Sequence, residues 1–228
     1  MDRGVAIRFG PPLPQSEWDA FDLAFGRFMR KFGHAETILA IALDTYSGHL
    51  ISAAYGTRST AVSSDLKSDI LRTLIGNRST QNIAIQLRRC MLAAKEANMS
   101  VYGHEPPTDE EITTVQSCFD QLGQIRSLRN RLAHHNIGFE KVGNEILFRS
   151  SNRFAVDDVD KADVLIFKRQ HLDDARADLT TLLERVEGTL VKSIGARRGV
   201  SDEPWSFKPS ELIKRPYPGY LNVGSDGN

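Results

Sequence analysis

Residues 126–136 bring arginine, asparagine and histidine together at spacings that suit chemistry on a phosphate group. Asn130 and His134 are four residues apart and share one face of an α-helix, and Arg126 precedes Asn130 by one turn. An imidazole, with an ordinary pKa of about 6.5, exchanges protons near neutral pH, and a guanidinium matches phosphate oxygens with two hydrogen bonds. These residue types therefore suit cleavage of RNA, in which the ribose 2′-hydroxyl is the nucleophile.

A purely structural role would account for the same residue types. Arginine and histidine in the last turn of a helix interact favourably with the helix dipole and can bond its free carbonyl groups. Asn136 suits the left-handed conformation in which many helices end. This interpretation does not account for the shared face of Arg126, Asn130 and His134, and both interpretations stay open at this point.

Arg129-Asn130 followed by His134 resembles the R-x4-6-H motif of the HEPN domain superfamily, which favours a polar residue directly after the arginine. His135 satisfies the same spacing rule, so the motif alone does not choose between the two histidines. The motif closes a late helix and is followed by a short β segment and one more long helix. The resemblance covers roughly residues 16–195.

The resemblance implies a metal-independent endoribonuclease that leaves 2′,3′-cyclic phosphate and 5′-hydroxyl ends. His134 would be the acid/base catalyst, with His135 as its substitute. Arg129 would stabilise the charge on the phosphate and Asn130 would orient the reacting groups. The expected partners are RNA as substrate and a second copy of the chain, because HEPN ribonucleases commonly dimerise so that two such helices share one cleft.

Three further residues are auxiliary candidates. Arg126 and Arg131 would contact phosphate groups beside the motif, and Glu36, in an earlier helix, could orient an arginine of the motif helix. We expect no metal site and no cofactor, since no acidic cluster suited to a metal accompanies the motif and the sequence contains no phosphate-binding glycine loop or dinucleotide fingerprint.

Two non-catalytic functions are open alternatives. Some HEPN proteins serve as nucleotide-binding or dimerising scaffolds, so the chain could be a non-catalytic HEPN-like helical dimer. It could also be a helical interaction module, with the β-hairpin and the aromatic C-terminal tail as the partner surface. The resemblance also allows an antitoxin-like or other protein partner.

Composition limits the class of protein. The 228 residues are 40% hydrophobic, and 29 Lys and Arg balance 29 Asp and Glu, so nucleic-acid contacts would have to come from a local basic patch. Cys90 and Cys118 are too few for a disulfide framework and predict two buried free thiols. No segment resembles a signal peptide or a membrane span, and we expect a cytoplasmic protein without a membrane partner.

Apolar spacings of three and four predict five helices. The first runs from Ser16 through an aromatic stripe to Gly48, and the others cover 65–75, Thr80 to about Met99, Thr108 to the motif, and 170–194. Thr108 and Glu111 form a predicted capping box.

After the motif the helical period ends, and a Gly143-Asn144 turn predicts a hairpin, Phe139–Val142 and Glu145–Phe148; a short apolar segment predicts a third strand over residues 163–167. The predicted fold is an all-α antiparallel bundle of about five helices with a small β-hairpin insertion before the last helix. Residues 1–15 would be an extended lead-in, 16–195 the HEPN-like domain and 196–228 an irregular or disordered tail.

Overall fold

The computed structural model describes residues 13–54, 80–99, 105–151, 163–191 and 204–216. These residues contain four α-helices and one four-stranded antiparallel β-sheet. In chain order the elements are α1 (Gln15–Ala54), α2 (Thr80–Glu96), α3 (Asp109–His134), β1 (Asn136–Val142), β2 (Glu145–Ser151), β3 (Asp163–Phe167), α4 (Arg169–Val186) and β4 (Ile213–Pro216). A π-helical turn, Glu187–Val191, continues α4, and a 3-10 turn, Pro209–Glu211, precedes β4.

The prediction of an all-α bundle with a small hairpin insertion is wrong, because the fold is mixed α and β. The hairpin is only half of the sheet, whose strand order is β1-β2-β3-β4 with every neighbouring pair antiparallel. Its fourth strand lies in the segment for which the sequence predicted a tail. No local pattern predicts this strand, because apolar and polar residues do not alternate in Ile213-Lys214-Arg215-Pro216.

Helix α1 follows from its apolar spacing, and Phe21, Phe28 and Leu39 are buried along it. The predicted end at Gly48 is wrong, since the helix continues to Ala54. A glycine inside a helix costs only about 1 kcal/mol relative to alanine, which the surrounding helix can absorb. The predicted helix over 65–75 lies outside the described residues.

The start of α3 forms the predicted capping box. The backbone N–H of Glu111 donates to Thr108 Oγ1 over 3.2 Å, and the backbone N–H of Thr108 donates to Glu111 Oε2 over 2.9 Å. Each side chain thus accepts a hydrogen bond that the first helical turn cannot supply. This confirmed start fixes the phase of the helix that carries the motif.

The predicted hairpin is also confirmed, and it is longer than expected. Strands β1 and β2 pair over seven residues each, from Asn136 opposite Ser151 to Val142 opposite Glu145. Gly143 in the connecting turn has a φ of 61°, a left-handed conformation that glycine adopts without steric cost.

The chain divides into two compact units. The first contains Met1–Met29, Ile125–Ala175 and Ser206–Asn228. Its core is an aromatic cluster in which the start of α1 packs on one face of the sheet. The ring of Phe21 stacks on Phe148 with 4.2 Å between centroids, and Trp18 meets Phe139 edge-on at 5.7 Å.

The second unit contains Arg30–Gln124 and Arg176–Trp205. Buried apolar side chains of the helices, aromatic as well as aliphatic, form its core, and a polar pair is also buried there. Gln121 Nε2 donates to Asp178 Oδ2 over 2.7 Å, and both residues are almost completely buried. In the described parts of the chain, no helix combines the length and apolar character needed to cross a membrane.

Candidate functional site

The motif occupies the last three turns of α3, in the first compact unit. One side of these turns is anchored by Ile125, Leu128 and Leu132, which are all buried. The opposite side carries the half-buried Asn130 and the exposed His134. The apolar anchor therefore holds the helix while its polar side faces outward, as the helical spacing predicts.

Arg129 and Asn130 are directly paired. Nη1 of Arg129 donates a hydrogen bond to Oδ1 of Asn130 over 3.1 Å, and both side chains are half-buried. Arg126 lies one turn earlier and is also half-buried. The end of α3 thus presents guanidinium groups that can bind the oxygens of an anion, one of them oriented by the residue that follows it.

The two histidines of the motif have different surroundings. His134 is the last residue of α3 and is exposed, whereas His135 lies between α3 and β1, is half-buried and has an enclosed Nδ1. Burial lowers the pKa of His135. The charge of Arg131 and the electrostatic interaction with His134 lower this pKa further, and the carboxylate of Asp163 opposes them. His135 is therefore a neutral imidazole at neutral pH, the form that can accept a proton.

Arg131 is bound to the sheet. Its Nη2 donates to the main-chain oxygens of Ser150, over 3.2 Å, and of Asp163, over 2.7 Å, and lies 2.5 Å from Asp163 Oδ1. In return, Ser150 Oγ donates to the main-chain oxygen of Arg131 over 3.4 Å. These contacts attach the end of α3 to β2 and β3. These contacts give Arg131 a structural role, and its expected role as a phosphate contact stays a prediction.

The roles of the other two auxiliary candidates are untested. Glu36 is half-buried on α1, in the second compact unit, and its role in orienting an arginine stays a prediction. The same holds for Arg126 as a phosphate contact.

Sequence reasoning missed Asp163 and Ser150, the two residues that bind Arg131. Asp163 is 32 residues from Arg131 and Ser150 is 19 residues away, so no helical or strand spacing links either of them to the motif. The one available signal was a charged residue at the start of an otherwise apolar strand, Asp163-Val164-Leu165-Ile166-Phe167.

The polar groups at the site are guanidinium groups, two imidazoles, the amide of Asn130 and the carboxylate of Asp163. Within the described ranges, no three histidine, cysteine, aspartate or glutamate side chains lie close enough together to hold a metal ion. The arrangement can bind an anion and exchange protons with it. Comparison of the chain with protein-family models, with curated proteins and with solved structures finds no match.

Proposed function

We propose that the chain is a metal-independent endoribonuclease of HEPN type, located in the cytoplasm and acting as a homodimer. The observation that carries the proposal is the bond between Arg129 and Asn130, one turn before two adjacent histidines. A guanidinium that is already oriented can stabilise charge that develops on phosphate oxygens, and the imidazoles can move the protons.

The reaction is an internal transfer at phosphorus. One imidazole takes the proton of the ribose 2′-hydroxyl while the 2′-oxygen forms a bond to phosphorus. The bond from phosphorus to the 5′-oxygen breaks, and that oxygen receives a proton from a second imidazole. The products are a 2′,3′-cyclic phosphate and a 5′-hydroxyl end. Arg129 stabilises the extra negative charge on the phosphorane oxygens.

A second copy of the chain supports this chemistry. One α3 offers few groups to an RNA strand, and the formal net charge of the chain is zero. Two α3 helices that meet along their polar sides would place two copies of Arg129, Asn130 and His134 in one cleft. The doubled set of cations concentrates positive charge locally, as binding to a phosphate backbone requires.

The test is cleavage of a labelled RNA pool in the presence of EDTA. We expect the wild-type chain to cut, and His134→Ala, His135→Ala and Arg129→Ala to lose most of this activity while dimer size and melting temperature stay unchanged. The matched controls are His34→Ala and Arg88→Ala, exposed residues of α1 and α2 outside the site. An inert wild-type chain, or motif variants that cut as well as the controls, would refute the proposal.

The non-catalytic alternative has one observation in its favour. Val142, at the tip of the hairpin, is 55% exposed and could contact a protein partner. Of the tail aromatics that the structure describes, Phe207 is buried, and the guanidinium carbon of Arg185 lies 4.4 Å from the ring centroid of Trp205, so neither ring favours such a surface. If the RNA assay is negative, binding of nucleotides and proteins is the next measurement.

A further inference from the structure

Nη2 of Arg131 donates both of its hydrogens to main-chain oxygens. Nη2 carries two hydrogens, and they are directed to the carbonyl oxygens of Ser150 and Asp163. Asp163 Oδ1 lies beside the same nitrogen, yet it is enclosed and accepts no hydrogen bond from the described residues. The ion pair thus leaves a buried carboxylate oxygen with unused acceptor capacity.

His135 presents the complementary group. Its Nδ1 is enclosed and has no hydrogen-bond partner among the described residues. Nδ1 is a donor when it carries the proton of the imidazole, and a buried donor and a buried acceptor that both lack a hydrogen bond are costly. Arg131 contributes to both environments, since it contacts Asp163 and is four residues from His135 on the same chain segment.

We propose that Asp163, held in place by Arg131, is the positioning residue that accepts a hydrogen bond from Nδ1–H of His135, directly or through one water molecule. With the proton on Nδ1, the lone pair of the imidazole is on Nε2. This inference rests on the proposed endoribonuclease activity. It assigns His135 as the base that takes the 2′-hydroxyl proton, and it leaves the exposed His134 to protonate the 5′-oxygen.

The charges around His135 support this division of roles. The groups that act on it are Arg131 and His134 from α3 and Asp163 from β3. The cations favour the neutral imidazole and the carboxylate favours the charged one, so Asp163 also stabilises the imidazolium that forms after proton transfer. A carboxylate that fixes a tautomer and then balances the charge of its histidine is a recurring device in proton-transfer sites.

The test combines NMR titration of the His135 ring with the pH dependence of RNA cleavage, in the wild-type chain and in Asp163→Asn. The asparagine has the size of the aspartate but no charge. We expect the His135 pKa to fall in the variant, and the acid limb of kcat/KM to move to lower pH with it. A purely structural defect would lower the rate at every pH without moving the limb. The melting temperature shows whether the variant is folded.

Glu145→Gln is the matched control, since it also removes one carboxylate from the first unit. Glu145 lies at the turn end of β2. Ser151, the residue opposite Asn136, lies at the other end of this strand, six positions or roughly 20 Å away. We expect Glu145→Gln to leave the His135 titration and the acid limb unchanged.

The outcomes separate this inference from the proposed function. If the wild-type chain cuts RNA but Asp163→Asn leaves both the titration and the acid limb unchanged, the inference is overturned and the endoribonuclease assignment stands. If the chain does not cut RNA, the proposed function and the role of His135 as base both fail. The titration then decides the Asp163–His135 contact alone.

Discussion

Arg129 Nη1 donates a hydrogen bond to Oδ1 of Asn130, its neighbour in the chain, over 3.1 Å. Neighbouring residues of a helix point about 100° apart, so such a contact needs a long side chain that bends back towards a short one. The pairing explains why a polar residue directly after the arginine is useful. It restricts the guanidinium before any substrate is present, which would reduce the entropy lost on binding phosphate at the proposed site.

The first prediction concerns this pair. Arg129→Lys keeps the charge but loses the planar guanidinium, and we expect kcat/KM for RNA cleavage to fall about 10²-fold. Asn130→Ala removes only the orienting oxygen, and we expect a smaller loss of about tenfold. Steady-state cleavage of one defined RNA measures both effects. Arg88→Lys, an exposed substitution on α2, is the control and should cleave like the wild-type chain.

If Arg129→Lys retains full activity, a point charge is sufficient and bidentate binding plays no part. If kcat/KM of Asn130→Ala falls as far as that of Arg129→Lys, Asn130 does more than orient its neighbour. Either result would contradict the roles proposed for Arg129 and Asn130.

The second prediction concerns the start of the same helix. Thr108→Ala removes the oxygen that accepts the backbone N–H of Glu111, and we expect a loss of about 1 kcal/mol in the free energy of unfolding. For a chain of this size the loss corresponds to roughly 2–4 °C in melting temperature. Thr113→Ala is the control: its hydroxyl donates to the Asp109 carbonyl inside the helix, a contact of little net value. Equal losses in the two variants would mean that the cap contributes nothing specific.

The third prediction concerns the aromatic core of the first unit. Phe21 is 2% exposed and stacks on Phe148, so Phe21→Ala should cost about 3–5 kcal/mol of the free energy of unfolding. Leu23 is on the other side of α1 and 54% exposed, and Leu23→Ala should change this free energy by less than about 0.5 kcal/mol. Denaturant unfolding of the two variants measures the difference, and similar values would contradict the packing described for α1.

Local patterns predicted the elements that depend on local interactions. The cap of Thr108 and Glu111 involves residues three apart, and the hairpin needs only a turn glycine between two short strands, so both could be predicted from the sequence. The helical face that holds Asn130 and His134 follows from the periodicity of α3 in the same way.

What could not be predicted depends on contacts that are distant in sequence. Strand β4 is a strand because it pairs with β3, where Ile213 is opposite Ile166, and two of its own four residues are charged. The contacts that attach the motif helix to the sheet also join residues that are distant in sequence, since Arg131 binds to two different strands. A helical spacing rule assigns Arg131 to the end of a helix but does not show which way its guanidinium turns.

The last prediction rests on His171, which is buried near the start of α4. The backbone N–H of Lys168 donates to its Nδ1 over 3.2 Å, and its Nε2 lies 3.9 Å from Glu211 Oε2. Burial lowers the pKa of His171 and Lys168 lowers it further, while Glu211 and Asp174 raise it. The net effect is a lowered pKa, and a protonated Nδ1 could no longer accept the hydrogen bond from Lys168.

The sign of the pH dependence follows from this lowered pKa. Below the unfolded-state pKa of about 6.5, the unfolded chain binds a proton at His171 more readily than the folded chain, so protonation favours unfolding. The contribution of His171 to stability is complete above that pH and decreases as the pH falls towards the lowered folded-state pKa. His171→Gln keeps an acceptor for Lys168 but does not titrate. We therefore expect the wild-type chain to lose more free energy of unfolding than the variant between about pH 7.5 and pH 5. If the free energy of unfolding changes equally with pH in the two proteins, His171 does not contribute to the acid sensitivity of the fold.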